Sequence, residues 1–278
     1  RLDALYLQIL GAIHTGAPVV ILTVITKDLK LVSIYTIFNM VTSGINSILN
    51  IFKSGLSASF GDVIARGELK TLQKAYTQFE FSYYSMITVV YSIAFITIMP
   101  FIEIYTSGIT DINYNIPVIG FLFVLNGLLY NIKTPQGMLV ISAGMYKETK
   151  LQTTIQGSIA VIIGAILVPY LKIQGVLIGS ILSNIYRDID LLFFIPKYVT
   201  KLSVRITALR IIRVFVNIVL ICIPFFFIQL NPTSYISWII DSIVVGIYAV
   251  FVILISGILF ERIVMLDTIK RVLRMVGR

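Results

Sequence analysis

Charge, cysteine and histidine are scarce in this chain, and each scarcity excludes a class of chemistry. The one cysteine, Cys222, lies in an apolar run, so neither a disulfide nor a cysteine-held metal can form within the chain. The one histidine, His14, excludes a multi-histidine metal centre. Only 13% of residues are charged against 58% apolar, and mean hydropathy is +0.95, a balance foreign to water-soluble domains. No glycine-rich phosphate loop of the P-loop pattern occurs, which argues against direct use of ATP. No Ser-His-Asp set, Cys-His pair or carboxylate dyad stands at the outer ends of the apolar runs, so no cofactor is implied and the enzyme reading is weak.

What the sequence has in quantity is apolar runs of about 20 residues without strict alternation, the pattern of transmembrane helices rather than barrel strands. Lipid offers backbone groups no partners, so spanning segments must satisfy them internally. The fold expected is all-α, a polytopic membrane helix bundle of about eight spans. They cover about 5–26, 31–52, 81–105, 116–143, 151–171, 173–195, 211–230 and 235–260. Between spans two and three, residues 53–80 read as a polar loop with a short amphipathic helix over 68–79. Pro135 and Gly137 predict a kink in span four, because proline removes a backbone donor and glycine weakens the helix. Lys172 marks a tight hairpin between spans five and six, in which Gly157, Gly164, Gly175 and Gly179 permit close helix approach.

Orientation follows from the positive-inside rule. Of 22 Lys and Arg, all but Lys27, Lys30 and Lys172 fall on the side that holds both termini, which places the termini in the cytoplasm. The same bias explains the net charge of +9 by contact with anionic lipid headgroups, with no need for nucleic acid. The basic stretch 196–213 and the basic tail read in the same way, as topology and lipid contact.

The remaining chemistry lies in polar groups inside spans. Asn39, Ser43, Asn46 and Asn50 recur every three or four residues and so share one helix face. An unpaired amide is unfavourable in hydrocarbon, so that face is turned to other helices or to a wet cavity. Arg187, followed by Asp188 and Asp190, is either half of an ion pair near the inner interface or a cation facing a cavity. Lys133, beside the predicted kink, is an interfacial anchor or a cavity cation, and His14 is a packing residue or a proton-responsive one. Amides pair with sugar hydroxyls and cations with phosphates, so Arg187, His14, Lys133, Asn39, Asn46 and Asn50 form the candidate substrate-binding set.

Three stretches carry a resemblance. They are SGLSASFGDVIARGE running into LKTLQKAYTQFEF, the kinked span PQGMLVISAGMYKETKLQT, and the hairpin IQGVLIGSILSNIYRDIDLLFFIPKY. Their order resembles the C-terminal part of a Wzx-type polysaccharide flippase, in the multidrug/oligosaccharidyl-lipid/polysaccharide exporter superfamily. The resemblance implies that residues 1–196 form a second-lobe bundle of six helices. Residues 197–278 then add a basic cytoplasmic loop, two further helices and a basic tail. It implies a central cavity between this lobe and a first lobe upstream of Arg1. It further implies a bacterial cytoplasmic membrane, undecaprenyl-pyrophosphate-linked oligosaccharide as substrate, Na⁺ or H⁺ as coupling ion, and other polysaccharide-assembly membrane proteins as partners. A cation-coupled drug or metabolite antiporter of the same superfamily, or a membrane polysaccharide polymerase, is the alternative.

Overall fold

The structure, a computed structural model, describes residue 11, residues 16–228 and residues 230–276, without the side chains of residues 54, 55 and 271–276. The described residues are helical throughout apart from turns, and contain no strand. In chain order the helices are α1 (Gly16–Thr26), α2 (Leu29–Ala65), α3 (Leu69–Tyr105), α4 (Pro117–Ile132) and α5 (Thr134–Ser142). They continue as α6 (Lys150–Leu171), α7 (Ile173–Ile195), α8 (Val204–Phe227) and α9 (Tyr235–Val276). The chain is a multi-pass membrane protein with six helical stretches long and apolar enough to cross a bilayer, one of them running through α4 and α5. Of the other two expected spans, the first lies partly outside the described residues. The sixth, α7, is long enough but carries Arg187, Asp188 and Asp190 in its second half.

The expected polar loop at 53–80 is a correction. α2 runs unbroken for 37 residues to Ala65, and α3 begins at Leu69 and also runs for 37. Each is about 55 Å long at 1.5 Å per residue, longer than a straight crossing of a hydrocarbon core of about 30 Å requires. Only Arg66, Gly67 and Glu68 turn the chain, with Gly67 at φ +69, a conformation open to glycine without strain. Likewise α8 starts at Val204 rather than near 211, and the amphipathic tail is helical too, following the last span across a kink at Glu261.

α3 is the central post. It packs on α2, α4, α5, α8 and α9. Its buried face follows one helical period: Leu72, Tyr76, Glu80, Tyr83, Ile87, Tyr91, Ala94, Ile98 and Ile102 recur three or four apart. Around the upper part of this stripe, Tyr35 and Phe38 of α2 pack on Phe123 of α4, with ring centroids 5.0 and 5.7 Å apart. A second apolar cluster, including Phe60, Tyr76, Leu139, Leu191 and Ile195, closes the end that holds the α2–α3 turn.

The predicted break in span four is present: α4 ends at Ile132, Lys133 is the junction, and α5 begins at Thr134 with Pro135 in its first turn. The Tyr84 hydroxyl donates to the Ile132 carbonyl beside the break at 3.0 Å. The α6–α7 hairpin turns at Lys172, whose φ is +51. A Cβ at Gly179 would lie 2.7 Å from the Gly164 nitrogen, and one at Gly175 2.6 Å from the Leu167 carbonyl carbon, so these helices meet backbone to backbone. Gly157 departs from the expectation, since it faces open space.

Candidate functional site

Two clefts open side by side on the face shared by α2, α4, α5 and α7. The first, about 290 Å³, is an amide chamber. Asn39, Thr42, Ser43 and Asn46 line it from α2, Asn126 and Tyr130 from α4, and Ser180 and Asn184 from α7, with Pro18 of α1 at its edge. The second, about 520 Å³, is a basic chamber. Lys53 reaches it from α2, Lys133 from the α4–α5 break and Arg187 from α7, while Thr149, Thr153 and Gln156 add hydroxyls and an amide. Tyr130 lines both. The Lys133 ammonium also bridges them: it donates to Asn184 Oδ1 at 2.6 Å and lies 4.8 Å from the Tyr130 ring centroid.

The helix break explains why Lys133 reaches the chambers. It is the junction residue between α4 and α5, and its side chain crosses the α4–α7 contact to reach Asn184. Asn184 then passes the connection on, donating through Nδ2 to Asn126 Oδ1 at 2.9 Å. On α2, Asn46 Oδ1 accepts from Asn131 Nδ2 at 2.7 Å. Asn131 is a buried hub: it also donates to Tyr91 Oη at 2.8 Å and the Gly127 carbonyl at 3.0 Å, and accepts from Tyr83 Oη at 2.9 Å. Thus the carbonyl oxygens of Asn46 and Asn126 are engaged in the walls. Each amide also carries an NH₂ group with two donors.

Of the residues expected at the site, the structure brings Asn39, Asn46, Lys133 and Arg187 to the two chambers. Asn50 shares their helix face but is exposed below the amide chamber and lines neither cleft. His14 lies outside the described residues. Arg187 lines the basic chamber and also pairs with Asp190 at 2.5 Å. Lys53, Asn126 and Asn184 were missed as site residues. Lys53 reads as a loop charge when α2 is ended at Phe52. Asn126 and Asn184 are single amides in apolar runs, brought opposite the α2 stripe only by tertiary packing.

A second polar cluster departs from the reading of 196–213 as topology and lipid contact. Arg210 of α8 is 3% exposed and pairs with Glu80 of α3 at 2.6 Å, while its Nε donates to Glu261 of α9 at 3.0 Å. Arg213 reaches the same Glu261 at 3.3 Å. Glu80 further accepts from Tyr76 at 2.9 Å, Thr207 at 2.9 Å and Gln136 at 3.3 Å. Glu261 is also where α9 leaves helical geometry, at φ −142 and ψ 42. The cluster therefore clamps the α8–α9 pair to α3, and through Gln136 touches α5 just beyond the break that carries Lys133. The signal in sequence was the helical period, which places Glu80 on the Tyr76–Tyr83–Ile87 stripe.

Comparison with protein-family models, with curated proteins and with solved structures finds no match.

Proposed function

We propose that this chain binds an oligosaccharide linked through pyrophosphate to a polyprenyl lipid, and takes part in flipping it across a bacterial cytoplasmic membrane for cell-surface polysaccharide synthesis. The observation that carries this reading is the adjacency of the two chambers: one walled by amides and hydroxyls, the next by three cations, with Tyr130 common to both. A sugar chain asks for neutral donors and acceptors, and a pyrophosphate asks for charge-assisted donors. One ligand satisfies both when its sugars lie in the amide chamber and its phosphates beside Lys133 and Arg187, with the lipid tail left in the bilayer. Lys and Arg around the α2–α3 turn and in the last part of α9 support a cytoplasmic location for that end, and with it a basic chamber in the cytoplasmic half. Movement follows when a second bundle facing the clefts rocks against this one around the bound headgroup, with Na⁺ or H⁺ supplying the bias. Other membrane proteins of polysaccharide assembly are the natural partners for supplying and receiving such a substrate.

The test is transport of a fluorescent lipid-linked oligosaccharide in proteoliposomes. Protein-dependent flipping is expected, with Lys133→Ala and Arg187→Ala inserting normally but flipping about tenfold slower or worse, as loss of a charge-assisted hydrogen bond implies. Wild-type flipping by both variants would remove the basic chamber from the mechanism.

A further inference from the structure

Both cations at the α7 wall of the basic chamber have a carboxylate of their own on that helix, and the two pairs are built differently. Arg187 and Asp190 form a direct pair at 2.5 Å in which the Asp190 side chain keeps 18% of its surface exposed. Asp188 lies one helical turn beyond Asn184, the residue that Lys133 bonds, and within electrostatic reach of Lys133. Both Asp188 carboxylate oxygens are shut off from solvent and neither has a hydrogen-bond partner. Lys133 lines the basic chamber and Asp188 does not, so of this pair only the cation borders the cleft.

The groups around Asp188 can be named. Off its own helix, Lys133 at the α4–α5 junction and Tyr84 of α3 are in electrostatic reach. On its own helix Arg187 and Asp190 flank it, already paired with each other. The Tyr84 hydroxyl is engaged elsewhere: it donates to the Ile132 carbonyl at 3.0 Å and accepts from Gln136 Nε2 at 2.8 Å. Lys53 of α2 also lines the chamber. Lys133 is therefore the compensating charge for a carboxylate that receives no hydrogen bond.

A buried carboxylate without donors persists as an anion only while a neighbouring cation compensates it. An anionic ligand that takes up the Lys133 charge withdraws that compensation and sets a like charge on the far side of the ammonium. Two anions cannot share one ammonium at low local dielectric, so either the ligand is rejected or the carboxylate is neutralised by a proton. We propose that Asp188 is the internal counter-ion of Lys133, and that entry of an anion into the basic chamber is accompanied by uptake of one proton at Asp188. The proposal rests on the reading of that chamber as an anion site, and adds to it a proton-linked step and the residue that carries it.

The test is isothermal titration calorimetry of the chain in lipid nanodiscs with sulfate, an anion that does not itself titrate near neutral pH, in buffers of differing ionisation enthalpy. The wild type should take up about one proton per sulfate bound, and lose about tenfold in affinity per pH unit where uptake is complete. Asp188→Asn, an isosteric change, should bind sulfate with no proton uptake and no pH dependence, at the affinity the wild type reaches at low pH. Asp190→Asn should keep the uptake. Sulfate binding without proton uptake in the wild type, or uptake that survives in Asp188→Asn, overturns this inference and leaves the anion site standing. No sulfate binding by either protein overturns the anion site itself, and this inference with it.

Discussion

Replacing Arg210 with methionine should release the α8–α9 pair from the bundle, and the size of the effect separates two accounts of what Arg210 does. The substitution keeps an apolar stem of similar reach and removes the guanidinium. Glu80, 1% exposed, would retain only the neutral donors of Tyr76, Thr207 and Gln136, and Glu261 would retain Arg213 at 3.3 Å. If Arg210 acted as an ordinary interhelical hydrogen-bond donor, its loss would cost about 0.6 kcal/mol and at most about 1.7. If it compensates a buried charge, its loss should cost about 3–5 kcal/mol, because the carboxylate stays behind unpaired. The second figure is the one the geometry supports, since Glu80 has no route to solvent. Reversible unfolding in mixed micelles, titrated with a denaturing detergent, measures the difference. The double variant Glu80→Gln, Arg210→Met removes the stranded charge along with its partner and should recover about half of the loss or more. A single-variant cost below about 1 kcal/mol, or a double variant equal to the sum of both singles, would refute the argument.

Other expectations follow from the same contacts. Gly179→Ala should destabilise the α6–α7 hairpin by about 1–3 kcal/mol, because its Cβ would stand 2.7 Å from the Gly164 nitrogen and 2.9 Å from the Ala160 carbonyl oxygen, whereas Gly157→Ala, facing open space, should show no loss in the same unfolding assay. Lys172→Gly should stabilise the chain by about 1 kcal/mol, since the hairpin holds a side-chain-bearing residue at φ +51; an unchanged or lower midpoint would count against that. Asn131→Leu should cost about 1–3 kcal/mol by leaving the Tyr83 and Tyr91 hydroxyls and the Asn46 carbonyl without their shared partner, with Tyr91→Phe showing a smaller part of the effect.

Hydropathy and helical period made much of the bundle legible. The apolar runs locate the spans, Pro135 and Gly137 locate the break, and Lys172 locates the hairpin, because each depends on local backbone chemistry. The α2 amide stripe was legible for the same reason, since positions three and four apart share a face whatever the fold. Where helices end in water was not legible. The segment from Lys53 to Ala65 carries Lys53, Asp62 and three serines but contains no proline, and nothing in it stops a helix already begun in the membrane. Reading polarity as loop ended α2 at Phe52 rather than Ala65 and took Lys53 out of the site. The other half of the amide chamber was hidden for a different reason. Asn126 and Asn184 are lone amides 58 residues apart, and only the packing of α4 on α7 makes them a pair. Glu80 and Arg210 were misplaced because the one fell in the segment read as a polar loop and the other in the basic stretch read as lipid contact. Their positions on the buried stripes of α3 and α8 say otherwise.

The central claim is that one ligand occupies both chambers, sugars among the amides and phosphates among the cations. The most direct measurement places a photo-crosslinking amino acid at Asn39, at Tyr130 and, for comparison, at the exposed Phe251 of α9, outside both chambers, and irradiates the protein with a radiolabelled polyprenyl-pyrophosphate oligosaccharide in proteoliposomes. The account predicts capture at Asn39 and Tyr130, with the sugar portion attached at Asn39. Capture should fall when Lys133 and Arg187 are replaced by alanine and remain at background at Phe251. Equal capture at all three positions, or capture at Asn39 and Tyr130 indifferent to the two cations, would contradict it.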